Sequence, residues 1–307
     1  MRFDIPYILP IKLVEVDPQQ LSQYLSRHMD DWLLQNRLNR WQYGTWANKW
    51  LTTDSIRLQV TCNTGQPQVQ VINCHGDVFI TQLMTQKQQN RYDPTTYIYE
   101  SSTALAGGSG FYWFKITSGS ITLISEPIEI VDSLTESLLI EYSHRKFYGG
   151  IIWETGFLAN LRVPGILRMK PPVAKDVVYE DQVLDMTMIK SIPYRLVEAI
   201  LGAGDNVPDY FVDIVNRILG CSNMTWDGKP YTKNEGFKWD QADDQYNGTF
   251  HSYRGELREA LNRTGKIVEP GTNTNQRVTI IGAIDLKGFA DTSLGASSNL
   301  AEFEDFE

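Results

Sequence analysis

Residues 55–62 read SIRLQVTC, with Ile56, Leu58, Val60 and Cys62 at every second position and Arg57, Gln59 and Thr61 between them. A side-chain period of two, apolar against polar, is that of a β-strand with one buried face. Outward from it the same signature recurs in short runs at 68–73, 78–83, 97–99, 111–117, 122–125 and 128–131. Between the runs lie turn formers, among them Asn63-Thr64-Gly65, His75-Gly76-Asp77, the Gly-rich 106–110 and Ser118-Gly119. About seven short strands at this spacing predict an immunoglobulin-like β-sandwich over residues 53–133.

Upstream, residues 1–52 predict an arm followed by an amphipathic helix. Pro6 and Pro10 deny the arm a regular ladder, while Ile5, Tyr7, Ile8, Leu9, Ile11, Leu13 and Val14 call for burial on the chain's own body or on a neighbour. Asp17-Pro18 has the form of a helix start, and Leu21, Tyr24, Leu25, His28, Met29, Trp32 and Leu33 follow at helical spacing toward Asn36.

Downstream, residues 134–265 predict an α+β domain, so the expected class is α+β, mainly β. Strands are expected at 138–142 and 150–155 and over 157–163, where Pro164-Gly165 reads as the turn. Residues 192–201 read as a short helix stopped by Gly202. A second helix over 208–219 opens on Pro208-Asp209 and places Phe211, Ile214, Val215, Ile218 and Leu219 on one face. A hairpin over 222–233 follows, turning at Asp227-Gly228, a pair that tolerates two positive φ angles. Residues 266–307 form an extension with one strand-like run, 278–284, and the acidic end AEFEDFE.

The chain has 307 residues, 42% of them apolar, so it can bury a large core without metal or disulfide. A net charge of −9 with no Lys/Arg run disfavours nucleic-acid or anionic-membrane partners. No apolar stretch reaches the length of a membrane span, so no membrane insertion is expected, and residues 1–17 lack the pattern of a signal peptide. Cys62, Cys74 and Cys221 are odd in number and lack metal-ligand spacing, which fits folding in a reducing compartment.

Reactive constellations are scarce. His28, His75, His144 and His251 share no evident face, so no metal site is assigned. Cys74-His75 on a strand would point to opposite faces and cannot form a dyad. Residues 106–110 lack the Gly-Lys-Ser/Thr ending and the helix of a phosphate loop. Asp240, Asp243 and Asp244 lack the spacing of a calcium loop, and Glu180-Asp181 reads as a solvated acidic pair. No catalytic residue and no cofactor are assigned. The tryptophans draw more attention: Trp113 lies on the opposite strand face from Tyr112 and Phe114, which predicts an aromatic surface either covered by a subunit or offered to a sugar.

The runs FYWFKITSGSITLISEPIEI (111–130), LLIEYSHRKF (138–147) and VPDYFVDIVNRILGCSNMTWDGKPYTKNEG (207–236) resemble uncharacterised proteins of phage and prophage tail modules, as does NRWQYGTWANKWLTTDSIRLQV (39–60). The resemblance spans roughly residues 36–262 and carries no catalytic motif. It implies a structural virion protein, made in the bacterial cytoplasm: a tail or baseplate adaptor forming a homo-oligomeric ring and joining tail, hub or fibre proteins. The expected assembly surface is the arm (Ile5, Tyr7, Ile8, Leu9, Ile11), the aromatic group Trp41, Trp46 and Trp50, and Phe303 and Phe306. The alternatives are a carbohydrate-binding module for a host surface glycan and, less favoured, a hydrolase whose carboxylates converge in one pocket.

Overall fold

The computed structural model describes residues 3–25, 46–63, 65–105, 108–180, 186–203, 206–241 and 250–259. The first eleven strands are β1 (Phe3–Asp4), β2 (Leu13–Glu15), β3 (Asn48–Leu51), β4 (Ser55–Cys62), β5 (Gln68–Ile72), β6 (Val78–Leu83), β7 (Thr85–Gln89), β8 (Tyr97–Ala104), β9 (Gly110–Ser118), β10 (Ile121–Ser125) and β11 (Ile128–Val131). They build two sheets, one ordered β1-β4-β8-β7, the other β2-β10-β9-β11-β3 with β5 and β6 attached to β9. The alternation in β4 works as the sequence predicts, since Ile56, Leu58, Val60 and Cys62 are fully buried. They share a core with Val69, Val71, Phe114 and Ile116 of the second sheet. The first sheets also recruit β1, β2 and β3, all from the segment upstream of residue 53.

The remaining strands are β12 (Ser137–Ser143), β13 (Ala159–Met169), β14 (Val173–Glu180), β15 (Met186–Tyr194), β16 (Leu196–Leu201), β17 (Val207–Pro208), β18 (Asn223–Trp226), β19 (Lys229–Lys233), β20 (Asp240–Gln241), β21 (Phe250–His251) and β22 (Tyr253–Glu259), with helix α1 (Asp209–Ile218) before β18. Following the pairings round, β12 bonds to β13, β13 to β16, β16 to β22, β22 to β19, β19 to β18 and β18 back to β12. The sheet therefore closes into a six-stranded antiparallel barrel, which removes its free edges. Helix α1 buries Phe211, Val212, Val215 and Ile218. The chain is mainly β, as the sequence predicts.

Three expected elements change identity. Residues 192–201 belong to strands β15 and β16 rather than a helix. The apolar run Leu196–Leu201 satisfies either template locally, and two neighbours distant in sequence, β13 and β22, decide it. Pro164-Gly165 is no turn but lies inside β13, where the strand leaves β12 and takes up β16. Gly165 permits the approach, because a Cβ there would stand 2.5 Å from the Ile200 carbonyl oxygen. The expected strand at 150–155 is replaced by a 3₁₀ turn, Trp153–Thr155. The polar edge strand β7, TQKQQ, has no apolar alternation and gives no signal in the sequence.

The helix start at Asp17 is present, the Asp17 carboxylate accepting from the Gln19 amide at 2.9 Å ahead of a 3₁₀ turn at Pro18–Gln20. Residues 21–25 continue as α-helix, and the course beyond residue 25 lies outside the described residues, as does the run 278–284. The hairpin turn at Asp227 (φ 48) and Gly228 (φ 75) has the two positive φ angles that its sequence predicts.

Sheets and barrel are joined by polar contacts as well as by a continuous core. Asn160 on β13 accepts from the Arg57 amide at 3.1 Å and donates to the Ser55 carbonyl at 2.6 Å. The Gln59 side chain donates to the Ile152 carbonyl and accepts from the Ile152 amide, at 3.0 and 2.8 Å. Asn48 of β3 donates to the Arg162 carbonyl at 3.0 Å, so β3 and β4 together form the seam.

From the barrel a ribbon emerges. Among the described residues, strands β14 and β15 pair only with each other, and they extend the β13–β16 ladder with an offset of one residue: Met169 faces Val197, then Val173 faces Tyr194. Pro171 and Pro172, exposed and without amide protons, interrupt the ladder between the two. Arg258 stands over the Tyr194 ring at 4.2 Å and braces the base. At about 3.3 Å per residue, β14 reaches roughly 26 Å outward.

Candidate functional site

The arm residues expected to face a neighbour are largely inside this chain. Ile8, Leu9 and Ile11 are buried in the common core, and Ile5 is half-buried against it. The Tyr142 hydroxyl donates to the Ile8 carbonyl, and burial pushes that phenol well above its ordinary pKa. Two glycines make room for the arm: a Cβ on Gly149 would overlap Ile8 Cδ1, and one on Gly150 would lie 2.8 Å from Pro6 Cα. Burying three such side chains stabilises the arm's position by roughly 1.5–3 kcal/mol each, which is why the apolar arm stays home. Tyr7 alone points out, 57% exposed.

The aromatic group is corrected in the same way. Trp50 is fully buried, and Trp46 is half-buried with its ring 4.5 Å from Phe211. Trp113 is covered by this chain, packed with Leu25, Ile72 and Ile124 and flanked by Leu21 and Tyr24. The helix start that covers it is apolar because it is a lid on that face. Trp41, Phe303 and Phe306 lie outside the described residues.

What the structure does bring to the surface is a basic, aromatic patch around the turn after β12. Tyr92 and Phe147 are 54% and 52% exposed, with ring centroids 5.3 Å apart and planes inclined at 48°. Arg91 lies over the Tyr92 ring at 5.4 Å and pairs with Glu154 at 3.0 Å. Tyr92 is held by its loop: its amide donates to Asn90 Oδ1 at 2.9 Å, and the Asn90 amide donates to the Thr96 carbonyl at 2.9 Å. Arg145 and Lys146 are exposed beside Phe147 and have no ion-pair partner among the described residues. Next to them His144 contacts the Tyr148 ring at 4.9 Å, Tyr148 donates to the Arg217 carbonyl at 2.9 Å, and Arg217 lies 5.0 Å from the Tyr7 ring. Arm, β7–β8 loop, barrel turn and α1 thus contribute to one surface.

Three groupings invite a chemical test. His144 Nδ1 accepts from the Ser222 amide at 3.0 Å and lies 2.9 Å from the Ser222 hydroxyl. Accepting an N–H fixes the ring proton on Nε2, and no carboxylate orients that nitrogen among the described residues, so the third member of a hydrolytic triad is missing from this group. Burial, reinforced by Arg145, lowers the His144 pKa and favours the neutral ring. Cys221 is pushed up to about 12 by burial, which keeps it a thiol rather than a nucleophilic thiolate.

The third grouping is a facing carboxylate pair, Glu198 on β16 and Glu256 on β22. It lines a cleft of about 390 Å³ with Lys170, Arg254 and Phe237. Lys170 bonds Glu256 and lies 4.0 Å from Glu198. The Lys170 hydrogen bond pulls the Glu256 pKa down, whereas acid catalysis by a carboxyl pair requires one member raised. That bond, with support from Asn234, therefore holds Glu256 ionised at neutral pH. Among the described residues no three His, Cys, Asp or Glu side chains converge as a metal site, and no helix is long and apolar enough to cross a membrane.

No protein-family model, curated protein or solved structure matches the chain. The exposed patch was missed in the sequence because its members come from four separate segments. The one local signal is Arg145-Lys146-Phe147, a basic pair running into an aromatic residue.

Proposed function

We propose that this chain is a non-catalytic structural protein of a bacteriophage tail or baseplate, which forms a homo-oligomeric ring and joins tail, hub or fibre proteins. The observation that carries this reading is the β14–β15 ribbon, rooted in a closed barrel and paired with no other strand among the described residues. An isolated two-stranded ribbon is marginally stable in water, so such an arm gains from a protein surface to lie on. The two sheets before it, with antiparallel ladders and a parallel β3–β11 pairing, fit an immunoglobulin-like sandwich that serves as a rigid docking body. On this reading the chain is made in the bacterial cytoplasm and ends up in the virion tail.

The test is to replace residues 172–195 by a two-residue Asn-Gly turn and weigh both proteins by mass photometry. The intact chain is expected to form a ring of defined copy number, and the shortened chain to remain folded and monomeric. A monomeric intact chain at micromolar concentration, or an unchanged ring without the ribbon, overturns the reading.

A second reading, a carbohydrate-binding surface, draws on the open rings of Tyr92, Phe147 and Tyr7. Stacking on a sugar face is what exposed aromatic rings offer. A glycan array probed with the intact chain and with Tyr92→Ala tests it: binding that Tyr92→Ala abolishes supports this reading, and an array without signal removes it.

A further inference from the structure

We propose that the acidic aromatic segment Ala301–Glu307 of this chain docks on its own Arg91–Tyr92–Arg145–Lys146–Phe147 patch. The two are complementary in charge and in kind. The segment AEFEDFE carries Glu302, Glu304, Asp305 and Glu307 around Phe303 and Phe306, with no basic residue. The patch carries Arg91, Arg145 and Lys146 around two rings that are each more than half exposed, with Glu154 as its one ion-paired carboxylate among the described residues. Of the other exposed cations, Lys12 and Lys238 are matched, to Glu126 at 3.5 Å and Asp240 at 2.8 Å, while Arg168, Arg195 and Lys229 have no ion pair among the described residues but also lack a pair of open rings beside them. Arg145 and Lys146 are left without such a partner among the described residues. On a chain of net charge −9, a cluster of unmatched cations beside open rings is the surface to which an acidic aromatic segment is drawn.

The connection is long enough. Strand β22 ends at Glu259 next to the ribbon base, its amide bonded to the Arg195 carbonyl, whereas the patch lies beyond the Ser143 end of β12. The segment must therefore pass the height of the barrel, roughly 25 Å for a seven-residue strand. Residues 260–300 supply about 40 links, whose fully extended span of about 140 Å exceeds that distance. Being covalently joined to the patch, the segment meets it without the cost of a second chain's association, so even a weak contact favours its own copy.

The test is zero-length carbodiimide cross-linking of the full chain, as an equal mixture of ¹⁴N- and ¹⁵N-labelled protein, followed by peptide mass spectrometry. Links from Lys146 to the carboxylates of residues 301–307 are expected in same-isotope pairs, at about fivefold the yield from Lys115 or Lys229. Lys146→Arg keeps the charge and should abolish that link. Phe303→Ala with Phe306→Ala should lower it about fivefold, while circular dichroism stays unchanged. Even yields over all three lysines, or a link indifferent to the phenylalanine changes, overturn the docking. Mixed-isotope pairs at the statistical ratio overturn the assignment to the same chain, since the segment would then sit on a second copy. None of these outcomes depends on whether the protein belongs to a tail, because the ribbon replacement tests that reading separately.

Discussion

Arg162 of the barrel reaches Asp54, in the turn between β3 and β4, in a two-pronged ion pair, Nε to Oδ2 at 2.5 Å and Nη2 to Oδ1 at 2.7 Å, with both side chains less than a tenth exposed. Asp54 also accepts from the Leu51 amide at 2.9 Å, and Arg162 donates to the Ser137 hydroxyl at 3.1 Å. A charge pair taken out of water on both sides is stabilising only as a whole, because removing one member leaves the other buried alone.

Asp54→Asn and Arg162→Ala are each expected to cost about 3–5 kcal/mol. Urea unfolding checks this through the midpoint at constant slope. A cost near that of an exposed ion pair, below about 1 kcal/mol, would show that the seam is wetter than its burial implies.

Gly150→Ala tests the seat of the arm. Its φ of +83° disfavours a side chain, and the new Cβ would meet Pro6 Cα at 2.8 Å. The substitution should destabilise the protein by about 1–3 kcal/mol. In hydrogen exchange, the amides of residues 7–9 should lose protection before those of β12, and exchange unchanged relative to the native chain would reject the packing of arm on turn.

Trp113 separates shape from polarity. Its indole Nε1 is buried without an acceptor among the described residues. Trp113→Phe deletes that unsatisfied donor along with part of the ring, so it should cost less than about 1.5 kcal/mol, whereas Trp113→Ala should cost about 3–5 kcal/mol. Equal losses from the two would point to a donor that is satisfied after all.

Cys221 gives a pH dependence of defined sign. Its pKa of about 12 in the folded chain exceeds the ordinary thiol value, so the unfolded chain sheds its proton first as pH rises. The contribution is flat below pH about 8.5, and stability falls as pH climbs from there toward the folded-state value. Cys221→Ala should shallow that alkaline decline, measured as unfolding free energy at about pH 8 and about pH 10. Near the lower of these the thiol should also alkylate at least about tenfold more slowly than glutathione.

The strands came through in the sequence wherever one face is buried and the other wet, as in β4 or β12, because the pleat then writes its period into the residues. That signal fails where the condition fails. β7 is polar on both faces, and Leu196–Leu201 is apolar enough to suit helix or strand until β13 and β22 flank it. Barrel closure depends on the pairing of β16 with β22, more than fifty residues apart, and no local pattern encodes it. The aromatic residues misled in a systematic way: Trp50 and Trp113 are large enough to look like surplus, and the chain turns out to contain the partners that enclose them. The exposed rings, Tyr92 and Phe147, are unremarkable in sequence because a loop fixes one and a barrel turn the other.

The ribbon inherits the mechanics of its root. Because β14 and β15 lead into two adjacent barrel staves, a pull along the ribbon draws β13 and β16 the same way and loads the ladders on their outer sides, β12–β13 and β16–β22, in shear. The Pro171-Pro172 gap and the bulge between Val177 and Val178 interrupt the ladder and give the ribbon two places to bend. The molecule is thus a stiff post carrying a jointed strut, able to bend toward whatever it grips while the post itself keeps its shape.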